Sequence, residues 1–164
     1  MAIWQFTFYP VPRNAIERID GVSALTIAAF KPVDLETFDE NAEWPNYWEG
    51  SSPKSYADDV GALLPARQSW SSDGLMFGDD KADDIELWDD DFRVRLDIRR
   101  YNEAVARGVV MLASRADLML VMGETGRIIA PDYGKLSREI SHSRALKFAI
   151  DPVATLRQIA SEHD

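Results

Sequence analysis

Residues Phe92 to Arg99 alternate without a break: Phe92, Val94, Leu96 and Ile98 are apolar, and Arg93, Arg95, Asp97 and Arg99 between them are charged. A period of two puts the apolar set on one face of a β-strand and the charged set on the other. One face therefore belongs to a core and the other is charged. The segments ahead of this strand are short and divided by turns: Leu75 to Phe77, a turn through Gly78 to Ala82, Asp84 to Trp88, and a turn at Asp89 to Asp91. Leu75 to Arg100 thus reads as an antiparallel meander.

The flanks supply a second sheet region and helices. Ile3 to Tyr9 reads as a first strand with Trp4, Phe6 and Phe8 on one face, ended by Pro10 and Pro12. Asn14 and Glu17 have capping-pair spacing for one or two helical turns closed by Gly21, and Val22 to Phe30 follows as a second strand, although its run from Leu25 also fits a helix. Pro32 to Gly50 carries short helical signals around the rings of Trp44, Tyr47 and Trp48. Pro53 opens a helix with Tyr56, Val60, Leu63 and Leu64 at spacings of three and four, stopped before Pro65. A helix over Asn102 to Ser114, a strand Leu118 to Met122, a turn Gly123 to Gly126, a short strand Arg127 to Ile129, and helices Asp132 to His142 and Pro152 to Glu162 complete the chain. The expected fold is a single α+β domain over residues 1–164: an antiparallel sheet with a central meander, helices packed mainly on one face.

Composition narrows the chemistry. At 164 residues and 46% hydrophobic, the chain has the length of one domain and the apolar material for a substantial core. It has no cysteine, hence no disulfide framework, thiolate nucleophile or Cys-ligated zinc, and its two histidines, His142 and His163, are too few for most transition-metal sites. No cofactor is expected. The first ten residues lack a basic leader followed by an apolar run, which makes the cytoplasm the simplest compartment. A net charge of −10 argues against nucleic acid, whose binding depends on Lys and Arg displacing counterions, and against anionic lipid.

That charge is concentrated. Between Asp73 and Asp91 nine carboxylates face one cation, Lys81, so this stretch holds eight of the ten net negative charges. A calcium loop does not fit: were Asp79 its first position, Lys81 would stand at a ligand position, Asp84 would replace the sharp-turn glycine, and Asp90 would stand where a bidentate Glu belongs. Two acidic turns flanking a strand remain. The expected partner-binding set is Trp70, Asp79, Asp80, Asp83, Asp84, Glu86, Trp88, Asp89, Asp90 and Asp91, presented to a basic protein. Asp84 and Glu86 also lie where cross-strand pairs with Arg93, Arg95 or Arg99 would form, worth roughly a few tenths of a kcal/mol each. The alternative is a small-ligand protein or enzyme with a polar pocket between the charged face of strand 92–99 and the Trp44 to Trp48 segment, where Trp48, Arg95, Asp97 and Arg99 contact an anionic ligand.

Other catalytic signals are weak. Ser69-Trp70-Ser71-Ser72 lacks the Gly-x-Ser-x-Gly elbow and any sequence link to His142, and Gly123-Glu124-Thr125-Gly126 lacks the lysine and following helix of a phosphate loop. Exposed acids in turns do not acquire the raised pKa of a general acid.

Tyr47-Trp48, Leu64-Pro65, Ser69-Trp70-Ser71, Gly78-Asp79, Arg95-Leu96-Asp97-Ile98-Arg99 and Ser143-Arg144-Ala145-Leu146-Lys147-Phe148 together give the chain a recognisable pattern. On these residues it resembles a family of small uncharacterised bacterial proteins, similar in size and composition to the immunity proteins that accompany bacterial toxins. The resemblance carries over no activity and no catalytic residue; it is the acidic charge that makes an immunity-type module neutralising a basic toxin the expected function.

Overall fold

Residues 3–30 and 44–161 are described by the structure, a computed structural model. Among them the alternating segment forms β5 (Phe92–Asp97), inside a seven-stranded antiparallel sheet. The other strands are β1 (Gln5–Pro12), β2 (Ala66–Arg67), β3 (Leu75–Gly78), β4 (Asp84–Leu87), β6 (Leu118–Met122) and β7 (Ile128–Ile129), in the order β2-β3-β4-β5-β1-β6-β7. The meander β3-β4-β5 is the one its turns predict. β5 stops at Asp97 because that carboxylate accepts the Arg99 backbone N–H (3.0 Å) and starts a single 3-10 turn, Ile98–Arg100.

β1 joins the two halves of the sheet by changing partner. Gln5 to Phe8 pair with Asp97 to Val94 of β5, and Phe8 to Pro12 pair with Met122 to Leu118 of β6. The strand therefore does not end at Pro10, as the prolines suggest. Thr7 O accepts from Gly123 N (2.9 Å) and Arg13 N donates to Asp117 O (3.1 Å), so odd-numbered residues bond toward β6. Pro10 and Pro12 turn their ring nitrogens to the opposite side, where β5 has stopped pairing at Phe8. No ladder bond is lost, which is the condition a proline needs inside a sheet.

The second strand expected over Val22 to Phe30 does not form. Only Thr26 bridges Arg127, because the partner strand β7 is two residues long and Asp20 Oδ1 captures the Ala28 N–H (2.8 Å).

The helices are α1 (Arg13–Ile19), α2 (Ala57–Gly61), α3 (Glu103–Arg115), α4 (Tyr133–His142), α5 (Arg144–Ile150) and α6 (Pro152–Ser161). Asn14 lies inside α1 and does not cap it, whereas Gly21, at φ +106°, returns its N–H to Ile16 O (3.1 Å) and closes the helix. Pro53 starts a 3-10 turn, Pro53–Tyr56, before α2, and Leu63 and Leu64 fall beyond the helix. Asn102 and Asp132, the first residues of the expected spans, cap α3 and α4 from just outside the helices. α5 has no counterpart in the sequence reading: Ser143 ends α4, and its Oγ accepts the Leu146 N–H (3.1 Å) to begin a new helix. No described helix is long and apolar enough to cross a membrane.

Register assigns every strand residue to a face. Phe6, Phe8, Phe77, Ile85, Leu87, Phe92, Val94, Leu96, Leu120 and Met122 share the apolar face and are buried in one cluster with the inward side chains of α3, α4 and α5. Gln5, Thr7, Tyr9, Arg67, Asp84, Glu86, Arg93, Arg95 and Asp97 share the other.

Candidate functional site

The charged face is an ion network. Asp84 lies opposite Arg95 and Glu86 opposite Arg93. Arg95 Nη1 donates to Asp84 Oδ1 and to Glu86 Oε1, both at 2.8 Å, and Arg67 Nη2 donates to Asp84 Oδ2 at 2.6 Å. Asp84 is fully buried and Glu86 is 5% exposed. Burial works against ionisation of Glu86, but Arg95, the Trp88 indole N–H (3.1 Å) and Arg93 outweigh it and hold its pKa below the usual value. Burial likewise opposes charge on Arg95, and Glu86 and Asp84 overcome it. Asp84, Glu86 and Arg95, each expected to meet a ligand or a partner, are instead spent on one another, in pairs far drier than the exposed cross-strand pairs the sequence suggests.

Asp97 and Arg99 are also engaged internally. The Arg99 guanidinium grips the Asp97 carboxylate through Nε (2.9 Å) and Nη2 (2.8 Å) and lies 4.2 Å over the Trp4 ring. Those hydrogen bonds, and Arg99's charge, hold the Asp97 pKa down. Of the expected ligand contacts, Trp48 lines a cleft, and Arg95, Asp97 and Arg99 are not among its described lining residues.

The acidic stretch is split in two. Asp79 to Asp83 form the β3–β4 turn, with Gly78 at φ +81° and Gln5 Nε2 donating to Asp80 O and Ala82 O. Asp79 and Asp80 are exposed, while Asp83 is half-buried and accepts the Asp97 N–H (2.8 Å). Asp89 to Asp91 form the β4–β5 turn at the other end of β4. Four strand residues put roughly 14 Å between the turns. They do not make one surface.

The β4–β5 turn has aromatic company. Trp70 is 77% exposed and lies against Trp88 with ring centroids 5.1 Å apart, beside exposed Asp89 and Asp90. Between this turn and the segment 44–48 is a cleft of about 460 Å³. Among the described residues its rings are Tyr9, Trp44, Tyr47, Trp48, Trp70 and Trp88, and its charged groups are Glu86, Asp90, Asp91 and Arg93. A second hollow of about 500 Å³, lined by Glu49, Asp73, Asp89 and Asp90, lies against Trp88 as well.

Local bonds explain why segment 44–48 is there. The Tyr47 hydroxyl donates to Asp20 Oδ2 (2.8 Å), and burial together with that carboxylate raises its pKa. The Trp44 ring packs at a tilt against Tyr9 of the charged face, centroids 4.9 Å apart, while Trp48 reaches Phe92 of the apolar face at 6.4 Å, so the segment wraps the sheet end. The part of the expected helical region before Trp44 lies outside the described residues, as does His163. Tyr9, Val11 and Arg93 are lining residues that the sequence did not point to as a site, whereas the segment Trp44 to Trp48 lines the cleft as expected of a pocket wall. Tyr9 reads as a strand end, and Arg93 reads as one partner of a cross-strand pair.

Burial pushes the Asp91 carboxyl up from 3.8 to about 6, with Arg93 opposing the shift and Asp90 and Glu86 adding to it. A carboxyl whose pKa rises on folding supports the fold while it holds its proton. That contribution is whole below about 3.8 and is lost as pH rises through about 6. Asp91→Asn is therefore expected to raise stability by about 1–3 kcal/mol at pH near 8 and by about nothing at pH near 4. Urea midpoints of variant and parent at the two pH values check it.

The remaining candidates disperse. Ser69 Oγ and Ser71 Oγ accept backbone N–H groups of Ser71 and Asp73 in the loop, while His142, on α4, has Nδ1 2.8 Å from Arg138 O. The Gly123 to Gly126 segment is the β6–β7 hairpin turn, and the Glu124 carboxylate accepts the Arg144 N–H (3.0 Å) at the start of α5. Among the described residues no three His, Asp or Glu side chains are grouped to hold a metal ion. Comparison of the chain with family models, with curated proteins and with solved structures finds no match.

Proposed function

We propose that this chain is an acidic protein-binding module that neutralises a basic partner, as an immunity-type protein neutralises a toxin. One observation carries the reading: Trp70, an indole 77% exposed, is propped on Trp88 beside the exposed carboxylates of Asp89 and Asp90. A large ring held in water by a second ring has the build of a binding anchor, and tryptophan is among the residues that most often dominate interface energy. The surrounding charge supplies the approach. A net charge of −10 attracts a basic protein over a distance and speeds encounter, while the ring gives the contact that persists.

The docking surface is therefore the β4–β5 end, with Trp70, Trp88, Asp89, Asp90 and Asp91, and Asp79 and Asp80 contribute only long-range attraction from the opposite end of β4. Affinity capture at about 50 mM and about 500 mM salt tests this, since screening at the higher salt removes most attraction between exposed charges. The expected result is a basic partner retained at low salt, weakened at least tenfold by Trp70→Ala, with a shallower salt dependence for Asp89→Asn. A partner held equally by the parent and by the Trp70→Ala, Asp89→Asn double variant would overturn the proposal, as would capture of no salt-sensitive basic protein.

A further inference from the structure

The cleft behind Trp70 has chemistry that a flat acidic surface does not. Its walls are π-faces and carboxylates: Trp44, Trp70 and Trp88 with Asp90 and Asp91, and Arg93 as the charged group of opposite sign. Elsewhere this chain repeatedly holds a guanidinium with one ring and one carboxylate. Arg99 lies 4.2 Å over Trp4 and bonds Asp97; Arg107 lies 3.7 Å over Tyr133 and pairs with Glu103. Arg93 repeats the arrangement in the cleft wall itself, 5.8 Å over Tyr9 and 3.0 Å from Asp91.

The other side of the cleft offers the same pair of elements to a visitor. Trp70 and Trp88 present rings, and Asp90, exposed beside them, forms no ion pair or hydrogen bond among the described residues. A guanidinium is planar, stacks on indole, and bonds a carboxylate with its edge, so both features are used at once. Among the described lining residues an anion would meet Asp90, Asp91 and Glu86 against Arg93, which disfavours it. At about 460 Å³ the space falls in the range of small-molecule sites and exceeds what an ion needs.

We propose that this cleft is an arginine-side-chain site: a guanidinium lies against Trp70 and Trp88 with its N–H edge on Asp90. The assignment rests on the binding-module reading, in which the side chain comes from the basic partner and inserts behind Trp70 as the anchor of the interface.

The test uses N-acetyl-arginine N-methylamide as probe and the citrulline analogue, its neutral isostere, as control, titrated into the ¹⁵N-labelled chain. The expected result is saturable movement of the Trp70 and Trp88 indole N–H resonances with a dissociation constant on the order of millimolar, and binding at least fivefold weaker for citrulline. Trp4, placed with Phe148 and Arg99 away from the cleft, should not move. Asp90→Asn, which removes no bond of the fold, is expected to weaken the probe by about three- to tenfold, and Trp70→Ala by a similar factor. No saturation by about 50 mM probe, equal binding of citrulline, or an unchanged Asp90→Asn variant would each overturn the assignment. The two proposals fail separately. Saturable arginine binding by a chain that captures no basic protein removes the partner reading alone, and a captured partner with no arginine binding removes the cleft assignment alone.

Discussion

Arg95→Met is expected to destabilise the fold by about 3–5 kcal/mol, the usual consequence of leaving buried charge without its partner. Arg95 is the one guanidinium that bonds both Asp84 and Glu86 at 2.8 Å, and neither carboxylate has appreciable access to water. With methionine there, Arg67 still reaches Asp84 at 2.6 Å, but its distance to Glu86 is 3.9 Å, so Glu86 is left with the Trp88 indole and a distant Arg93. The measurement is the urea midpoint at constant m-value. Adding Asp84→Asn and Glu86→Gln to Arg95→Met should recover at least half of the loss, because uncharged amides no longer need the guanidinium. A loss below about 1 kcal/mol for the single variant would mean that the network is hydrated and behaves like surface pairs.

Trp48→Ala is expected to cost a further class of energy, about 3–5 kcal/mol, through a cavity. Trp48 is 3% exposed and touches Phe92 and Tyr56 with centroid distances of 6.4 and 6.0 Å, so its ring joins the core to segment 44–48 as well as lining the cleft. Trp48→Phe keeps a ring in place and should cost under about 1.5 kcal/mol. The contrast with Trp70 is diagnostic: Trp70→Ala should shift the urea midpoint little while abolishing most of the probe affinity. If Trp48→Ala left stability intact and only ligand binding fell, Trp48 would be a contact residue and not a structural one.

The strands and helices were largely legible because their signals are local. Alternation at Phe92 to Leu96, the helical spans beginning at Asn102 and Asp132 and the apolar run Leu118 to Met122 each rest on neighbouring residues, and each produced its element. The failures came where a distant partner decides. Pro10 reads as a stop because a proline normally breaks a ladder, yet here its nitrogen faces the side that β5 has vacated. Val22 to Phe30 has the composition of a strand but meets a partner two residues long. α5 depends on Ser143 serving both ends of a helix break, a role its neighbours in sequence do not announce.

The candidate site divides along the same line. The chain's own order of residues determined that an acidic turn would sit on each end of β4, that arginines would line the facing strand, and that the centre would be an antiparallel meander, since turn chemistry and a period of two are properties of adjacent residues. Only the tertiary structure decided which carboxylates are usable. Asp84 and Glu86 are fixed by register against Arg95 and removed from water, whereas Asp89 and Asp90, a few residues on, remain at the surface beside Trp70. The cleft itself joins Tyr9, Trp44, Trp70 and Trp88 from four separate segments, and burial, pairing and enclosure of that kind arise from contacts between residues far apart in the chain.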